Sequence, residues 1–134
     1  MKLIDTSVWV HAYSKDSPKR ESARDKINLL LGLDEAAVTI QIIAEFYSAM
    51  TKTLASDVAA NNARKLIGAG SLYKLETSLD DVVEALYLSE KNNLRRSEIF
   101  DALIVATGRR NGVEGVITDN KEHFERLGMN VETI

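Results

Sequence analysis

Cysteine is absent from the 134 residues, and histidine appears only as His11 and His123. The first absence excludes disulfides, thiolate catalysis and Cys-rich zinc sites. The second leaves too few imidazoles for a His-rich metal centre. Proline occurs once, as Pro18, so no proline-rich linker divides the chain. Long apolar runs are missing as well. The stretches near residues 29–33 and 102–106 fall far below the roughly 20 residues that span a bilayer. MKLID leads directly into a strand pattern, so the expectation is a soluble cytoplasmic protein without a signal peptide. An excess of basic charge is also lacking. The net charge of −3 argues against a generally basic surface. It leaves room for a local basic rim from Lys52, Arg95, Arg96, Arg109 and Arg110 if the fold gathers them, the alternative being solvated helix ends.

What is present is a hydrophobic content of 45%, enough for one globular domain spanning residues 1–134. Short apolar segments alternate with helical periodicities. After a strand in MKLID and a first helix containing Trp9, residues 14–18 read as a loop. A helix follows with Ser17 as its cap and Pro18 in its first position, running through Ile27, Leu30 and Leu31 to Gly32. The spacing then predicts a strand over 36–39 and a helix over 41–54, with Ile42, Ile43, Phe46 and Met50 on its apolar face and Gln41, Glu45, Ser48 and Lys52 as a polar stripe. A helix from Asp57 to about Gly68, a strand over 72–76 and a helix from Leu79 to about Asn92 opened by Ser78 come next. The remainder reads as helix 98–111, strand 115–118, helix 120–127 and a final strand over 130–134. Such alternation implies a three-layer α/β/α sandwich with a central parallel sheet. Sheets of this kind place their sites at the carboxyl ends of the strands.

Four acids stand where the local pattern is apolar: Asp5 ending MKLID, Glu45 in IIAEFY, Asp101 in IFDALIVA and Asp119 ending GVITD. Carboxylates beside apolar surface require a compensating cation or hydrogen-bond donors, and a single divalent metal would satisfy all four. Mg²⁺ or Mn²⁺ is the natural match for oxygen ligands with no thiolate available. Each acid also has a purely structural explanation. Asp5 can cap the first helix, Glu45 can edge a solvated stripe beside Gln41 and Lys52, Asp101 can meet a helix dipole, and Asp119 and Asn120 can cap the helix beginning KEHFERLG. The flanks of Asp101, from Ile99 and Phe100 before it to Ala106 after it, read as largely buried, which argues against the structural explanation there. His123 reads as a surface residue. His11 reads as a core-edge histidine or a substrate contact, with the first favoured, and Trp9 and the tyrosines as core.

The joint order of these segments resembles the PIN-domain ribonucleases, and within them the VapC-type toxins of toxin–antitoxin pairs. The resemblance is carried by Asp5-Thr6-Ser7 after a hydrophobic strand, Glu45 in a helix, Phe100-Asp101-Ala102 with Ile104 and Ala106, and Ile117-Thr118-Asp119-Asn120 with Phe124. It implies that Asp5, Glu45 and Asp101 bind Mg²⁺ or Mn²⁺, supported by Thr6 or Ser7 and by Thr118. The family's fourth acid commonly lies two residues after the threonine, where this chain has Asn120. Either Asp119 substitutes, or Asn120 contributes a carbonyl oxygen and the site carries one charge fewer. The resemblance further implies hydrolysis of single-stranded or looped RNA to a 5′-phosphate and a 3′-hydroxyl, a homodimer, and a small antitoxin partner. Lys52, Arg95 and Arg96 are candidate RNA contacts. Alternatives are a PIN nuclease of RNA processing outside a toxin system, a catalytically weak PIN-like binding module, and a metal-free ribonuclease using His11 and His123.

Overall fold

A computed structural model describes residues 1–134. Five parallel strands form one sheet in the order β3-β2-β1-β4-β5, with β1 at Lys2–Ile4, β2 at Ala36–Thr39, β3 at Leu72–Leu75, β4 at Gly115–Ile117 and β5 at Val131–Glu132. The helices are α1 (Thr6–Tyr13), α2 (Arg20–Gly32), α3 (Ile40–Met50), α4 (Ser56–Gly68), α5 (Leu79–Lys91), α6 (Ile99–Arg110) and α7 (Lys121–Glu125). A short 3₁₀ turn over Arg96–Glu98 precedes α6. The expected α/β/α sandwich is the fold observed. Every residue of β2 and β4 is buried, as continuous apolar strands covered on both faces must be. α1 packs on α2 and α3, and α3 on α4; α6 packs separately on α5 and α7. Right-handed crossovers demand this division when the chain steps first to one side of β1 and then to the other.

That reversal is the topological switch point. β1 lies between β2 and β4, and the connections leaving these two neighbours diverge to opposite faces, so a crevice opens above the carboxyl ends of β1 and β4. α6 runs antiparallel to the strands. Near its end Gly108 lies against Leu3 of β1, where an added Cβ would sit 2.8 Å from Leu3 Cδ1. Its first turn, with Asp101, therefore reaches the carboxyl rim. Thr39 caps α3 at the same rim by accepting the Ile42 N–H at 3.1 Å.

Several predicted boundaries shift for local reasons. α2 begins at Arg20, because the Ser17 hydroxyl accepts the Lys19 N–H at 3.1 Å and so closes a tight turn through Pro18. α3 ends at Met50 and not at 54; Thr51 turns its hydroxyl back onto the Ser48 carbonyl at 2.8 Å. α7 is five residues long and stops before Gly128, whose φ of 77° closes the turn. The last strand shrinks to two residues.

Arg109 and Arg110 take no part in a basic rim. Arg109 donates to the Leu127 carbonyl at 2.5 Å. Arg110 pairs with Asp81, a carboxylate 2% exposed that also accepts from Thr107 at 3.1 Å and forms a capping box with Ser78. The Arg110 guanidinium, donating at 2.7 and 3.0 Å, is the chief reason that the Asp81 pKa is pushed down to about 2. Removing the guanidinium leaves the Asp81 carboxylate without its cation, so Arg110→Met should lower the urea midpoint at pH 7. Because the folded-state pKa lies below the ordinary 3.8, this stabilisation is complete above that value and is lost as pH falls towards 2. Urea unfolding should show the gap between wild type and Arg110→Met closing between pH 5 and pH 2.5; a constant gap would rule out the ion pair as its source.

Candidate active site

Asp5 ends β1 and occupies the N-cap position of α1, yet its carboxylate makes no capping hydrogen bond to that helix. Its Oδ2 accepts instead from Thr118 Oγ1 at 2.8 Å and Ser7 Oγ at 3.2 Å. The same two hydroxyls accept backbone N–H groups, Ser7 Oγ from Asp119 at 3.0 Å and Thr118 Oγ1 from Asn120 at 2.9 Å. Strand β1, helix α1 and the turn after β4 are thereby laced around one carboxylate 6% exposed. Glu45 comes to the same crevice from the second turn of α3, and Asp101 from the first turn of α6 on the opposite face of the sheet. Gln41, one turn before Glu45, donates to Glu45 Oε1 at 3.4 Å and to the Phe100 carbonyl at 3.2 Å, tying α3 to the start of α6.

These acids line an open pocket of about 540 Å³ together with Thr6, Ser7, His11, Lys52, Asn120 and His123. Burial is the leading cause of a raised pKa for each of the three carboxyls. Asp5 is raised although the Thr118 and Ser7 hydrogen bonds oppose the shift. Asp101 is raised by burial against the pull of His123, whose Nδ1 stands 3.1 Å from Asp101 Oδ2. Glu45 is pushed up to about 7 by burial, with the negative charges of Asp5 and Asp101 adding to it and the Gln41 hydrogen bond opposing it. Carboxyls placed so disfavour one another's ionised form, a cost that a cation among them would relieve.

The donor set fits a hard divalent ion. No three of the chain's acids and histidines are set close enough to hold an ion by themselves; the acids stand around an open pocket. Mg²⁺ suits such a place because it retains several waters and is held by a few carboxylates plus substrate phosphate. The buried Thr6 hydroxyl stands beside the Glu45 carboxyl and opposes the rise in its pKa.

Asp119 stands elsewhere. It does not line the pocket; its carboxylate pairs with Lys19 and accepts from His11 Nε2 at 2.9 Å, and these contacts, Lys19 first, lower its pKa. Asn120 occupies the position facing the acids. Arg95 and Arg96 also lie off the pocket, in the turn leading to Ser97 and Glu98, which do line it; of the predicted basic contacts Lys52 alone is at the rim. Both histidines line the pocket, His123 as the surface residue its sequence context predicts and His11 at the edge of the core. His123 is exposed but follows Asn120 by one helical turn and so shares its face. His11 is fixed between Asp119 and Ser17 Oγ, the latter at 2.5 Å. Phe100, expected to be buried, is 50% exposed and lines the pocket. Ile104, one turn further, lies over the sheet and is 1% exposed; the first turn of α6 projects beyond the rim.

Fold and crevice together define a three-layer α/β protein whose acids meet at the switch point. The chain matches the family model of the PIN domain over residues 2–129, and it belongs to that family. Among solved structures it is similar to VapC20 of Mycobacterium tuberculosis, a sarcin-ricin loop cleaving toxin, with TM-score 0.78 and 14% identity over 97% of each chain. It is similar also to a chain in VapBC2 of Rickettsia felis bound to promoter DNA, with TM-score 0.73 and 17% identity over 98% of this chain and 97% of that one. A chain in FitAcB of Neisseria gonorrhoeae gives TM-score 0.68 and 17% identity over 98% and 96%. At such identities the likeness is one of fold. No curated protein matches the sequence.

The raised Glu45 pKa yields a stability test. A carboxyl whose folded-state pKa is raised destabilises the fold where it is ionised, above about pH 7, and the penalty disappears as pH falls towards its ordinary 4.5. Metal-free Glu45→Gln should therefore melt about 3 °C above wild type at pH 8, a modest gain because the side chain is partly solvated. The advantage should vanish near pH 5. Saturating Mg²⁺ or Mn²⁺ should raise the melting temperature of the wild type more than that of the variant.

Proposed function

We propose that the protein is a divalent-metal-dependent endoribonuclease of the VapC toxin type. The observation that carries this is the convergence of Asp5, Glu45 and Asp101, from the central strand and from helices on both faces, on one crevice where burial raises the pKa of each of these three carboxyls. Asp5, Glu45 and Asp101 would hold Mg²⁺ or Mn²⁺, with the Asn120 carbonyl as a neutral fourth ligand; Asp119 would serve only by leaving Lys19 and His11. A bound divalent cation lowers the pKa of water and neutralises charge on a phosphodiester. The chain's own part is orientation. Thr118 and Ser7 aim Asp5, Gln41 aims Glu45, and Lys52 meets the RNA backbone at the rim. Hydrolysis in line would break the P–O3′ bond, place the water oxygen on phosphorus and return a proton to O3′, giving a 5′-phosphate and a 3′-hydroxyl.

Single-stranded RNA cleavage should require Mg²⁺ or Mn²⁺ and stop with EDTA. Asp101→Asn should remain folded and lose activity by at least about a hundredfold, as expected when charge that organises a phosphoryl transition state is removed. Equal cleavage with and without chelator, or wild-type turnover by folded Asp101→Asn, would refute the mechanism.

A second reading, a weakly active PIN-like binding module, is favoured by one observation, the neutral Asn120 facing the pocket while Asp119 is engaged elsewhere. Calorimetric titration with Mn²⁺ separates the two, because the module would bind no metal at millimolar concentration.

Toxin duty implies cytoplasmic action, a small antitoxin and self-association. Surface apolar residues support partners. Leu79, Val83, Leu86 and Tyr87 form an exposed stripe on α5, and Ile40, Tyr47 and Ile67 flank an apolar groove between α3 and α4. Expression alone should arrest growth, and co-expression with the adjacent small reading frame should relieve the arrest and co-purify its product. No arrest and no partner would remove the toxin role while leaving the nuclease intact.

A further inference from the structure

Of the large hydrophobic side chains that are exposed, Phe100 alone lines the acidic pocket. The other apolar residues there are Val10 and Ala49, neither of which carries a ring. A half-exposed phenylalanine among carboxylates is out of place for a pocket that binds only a hydrated ion, because its apolar surface remains in water. Scattered surface hydrophobics need no explanation. Phe100 differs by being held in place. It directly precedes Asp101, and its carbonyl accepts from the same Gln41 side chain that donates to Glu45. The backbone that carries the ring is therefore fixed relative to two of the three acids, with Lys52 elsewhere on the same pocket's lining. The cavity, about 540 Å³, has room for a nucleotide. Its other walls are mainly polar, which suits a flat base attached to a charged backbone better than an apolar ligand.

We propose that Phe100 is a stacking platform for an unpaired RNA base beside the scissile phosphate, making the site selective for single-stranded over paired RNA. This rests on the nuclease function above and adds to it a base-holding subsite. Every base offers a π face, so the contact is tolerant of sequence. A base inside a duplex is already stacked on its neighbours and cannot lie on the ring. With the phosphate drawn towards the acids and their cation, the adjoining base is directed to the first turn of α6.

Phe100→Ala and Phe100→Trp test the subsite, using a short single-stranded RNA that contains 2-aminopurine. Binding is read in Ca²⁺ by quenching of the 2-aminopurine fluorescence, and cleavage in Mg²⁺ by KM and kcat. Loss of one stacked base should raise both Kd and KM about five- to a hundredfold. Quenching should be lost and kcat little changed, while the exposed position keeps the melting temperature at the wild-type value. Phe100→Trp should restore affinity and quenching. Discrimination between single strand and duplex should fall in Phe100→Ala alone. A folded Phe100→Ala protein with wild-type KM and quenching would overturn the proposal. So would a change in assembly size with RNA binding intact, since the ring would then be a protein contact. Wild-type protein that neither binds nor cuts RNA would instead remove the nuclease function itself.

Discussion

Asp5 is where strand, helix and loop are made to agree. Its Oδ2 receives hydroxyls from the turn after β4 and from α1, and those hydroxyls in turn receive the N–H groups of Asp119 and Asn120. A carboxylate buried at the end of the central strand is tolerable because these donors surround it. Without them the turn after β4 would have no fixed relation to α1, and the crevice between β1 and β4 would lose its shape. The same interaction leaves a net cost, for burial still raises the Asp5 pKa. A cation beside Asp5 would relieve that cost.

That cost is shared among elements that do not touch in sequence. α3 brings Glu45 from one face of the sheet and α6 brings Asp101 from the other, so repulsion among the acids acts across the layers. Compensation is built elsewhere. Asp81 and Arg110 bind α5 to α6, and Gln41 joins α3 to the start of α6. α6 is therefore anchored at both ends, which lets its first turn project beyond the sheet and expose Phe100 beside the acids. A functional pocket of this kind combines locally unfavourable electrostatics with firm support from distant contacts.

His11 and Asp119 show how the pocket's outer wall is made. Asp119 follows Thr118 directly, so its side chain is turned away from the Thr118 hydroxyl that serves Asp5, towards Lys19 and His11. An ionised carboxylate only accepts, which assigns the Nε2 proton to His11 and makes Nδ1 the partner of the Ser17 hydroxyl in the neutral ring. The loop after α1 is thus clamped to the end of β4. Charge alone suggested Asp119 as a fourth ligand; geometry gives it a bracing contact and turns Asn120 towards the acids.

Periodicity in the sequence was sufficient for the parallel α/β sandwich, the order of its elements and the placing of Asp5 at a strand end, because apolar spacing reflects which faces are covered. Ser78 announced the start of α5 for the same local reason, a hydroxyl serving an N–H three residues on. Apolar context likewise marked Asp5, Glu45 and Asp101 as unusual, since burying a charge is unfavourable whatever the fold. The rest depended on distance between remote residues. Whether arginines meet a pocket or a buried Asp81, whether Asp119 faces a cation or Lys19, and whether a phenylalanine beside an acid is covered by the sheet or projects past its rim are decided by tertiary packing. Local pattern reports the character of a side chain; only the crossing of α3 and α6 over the switch point determines what that side chain meets.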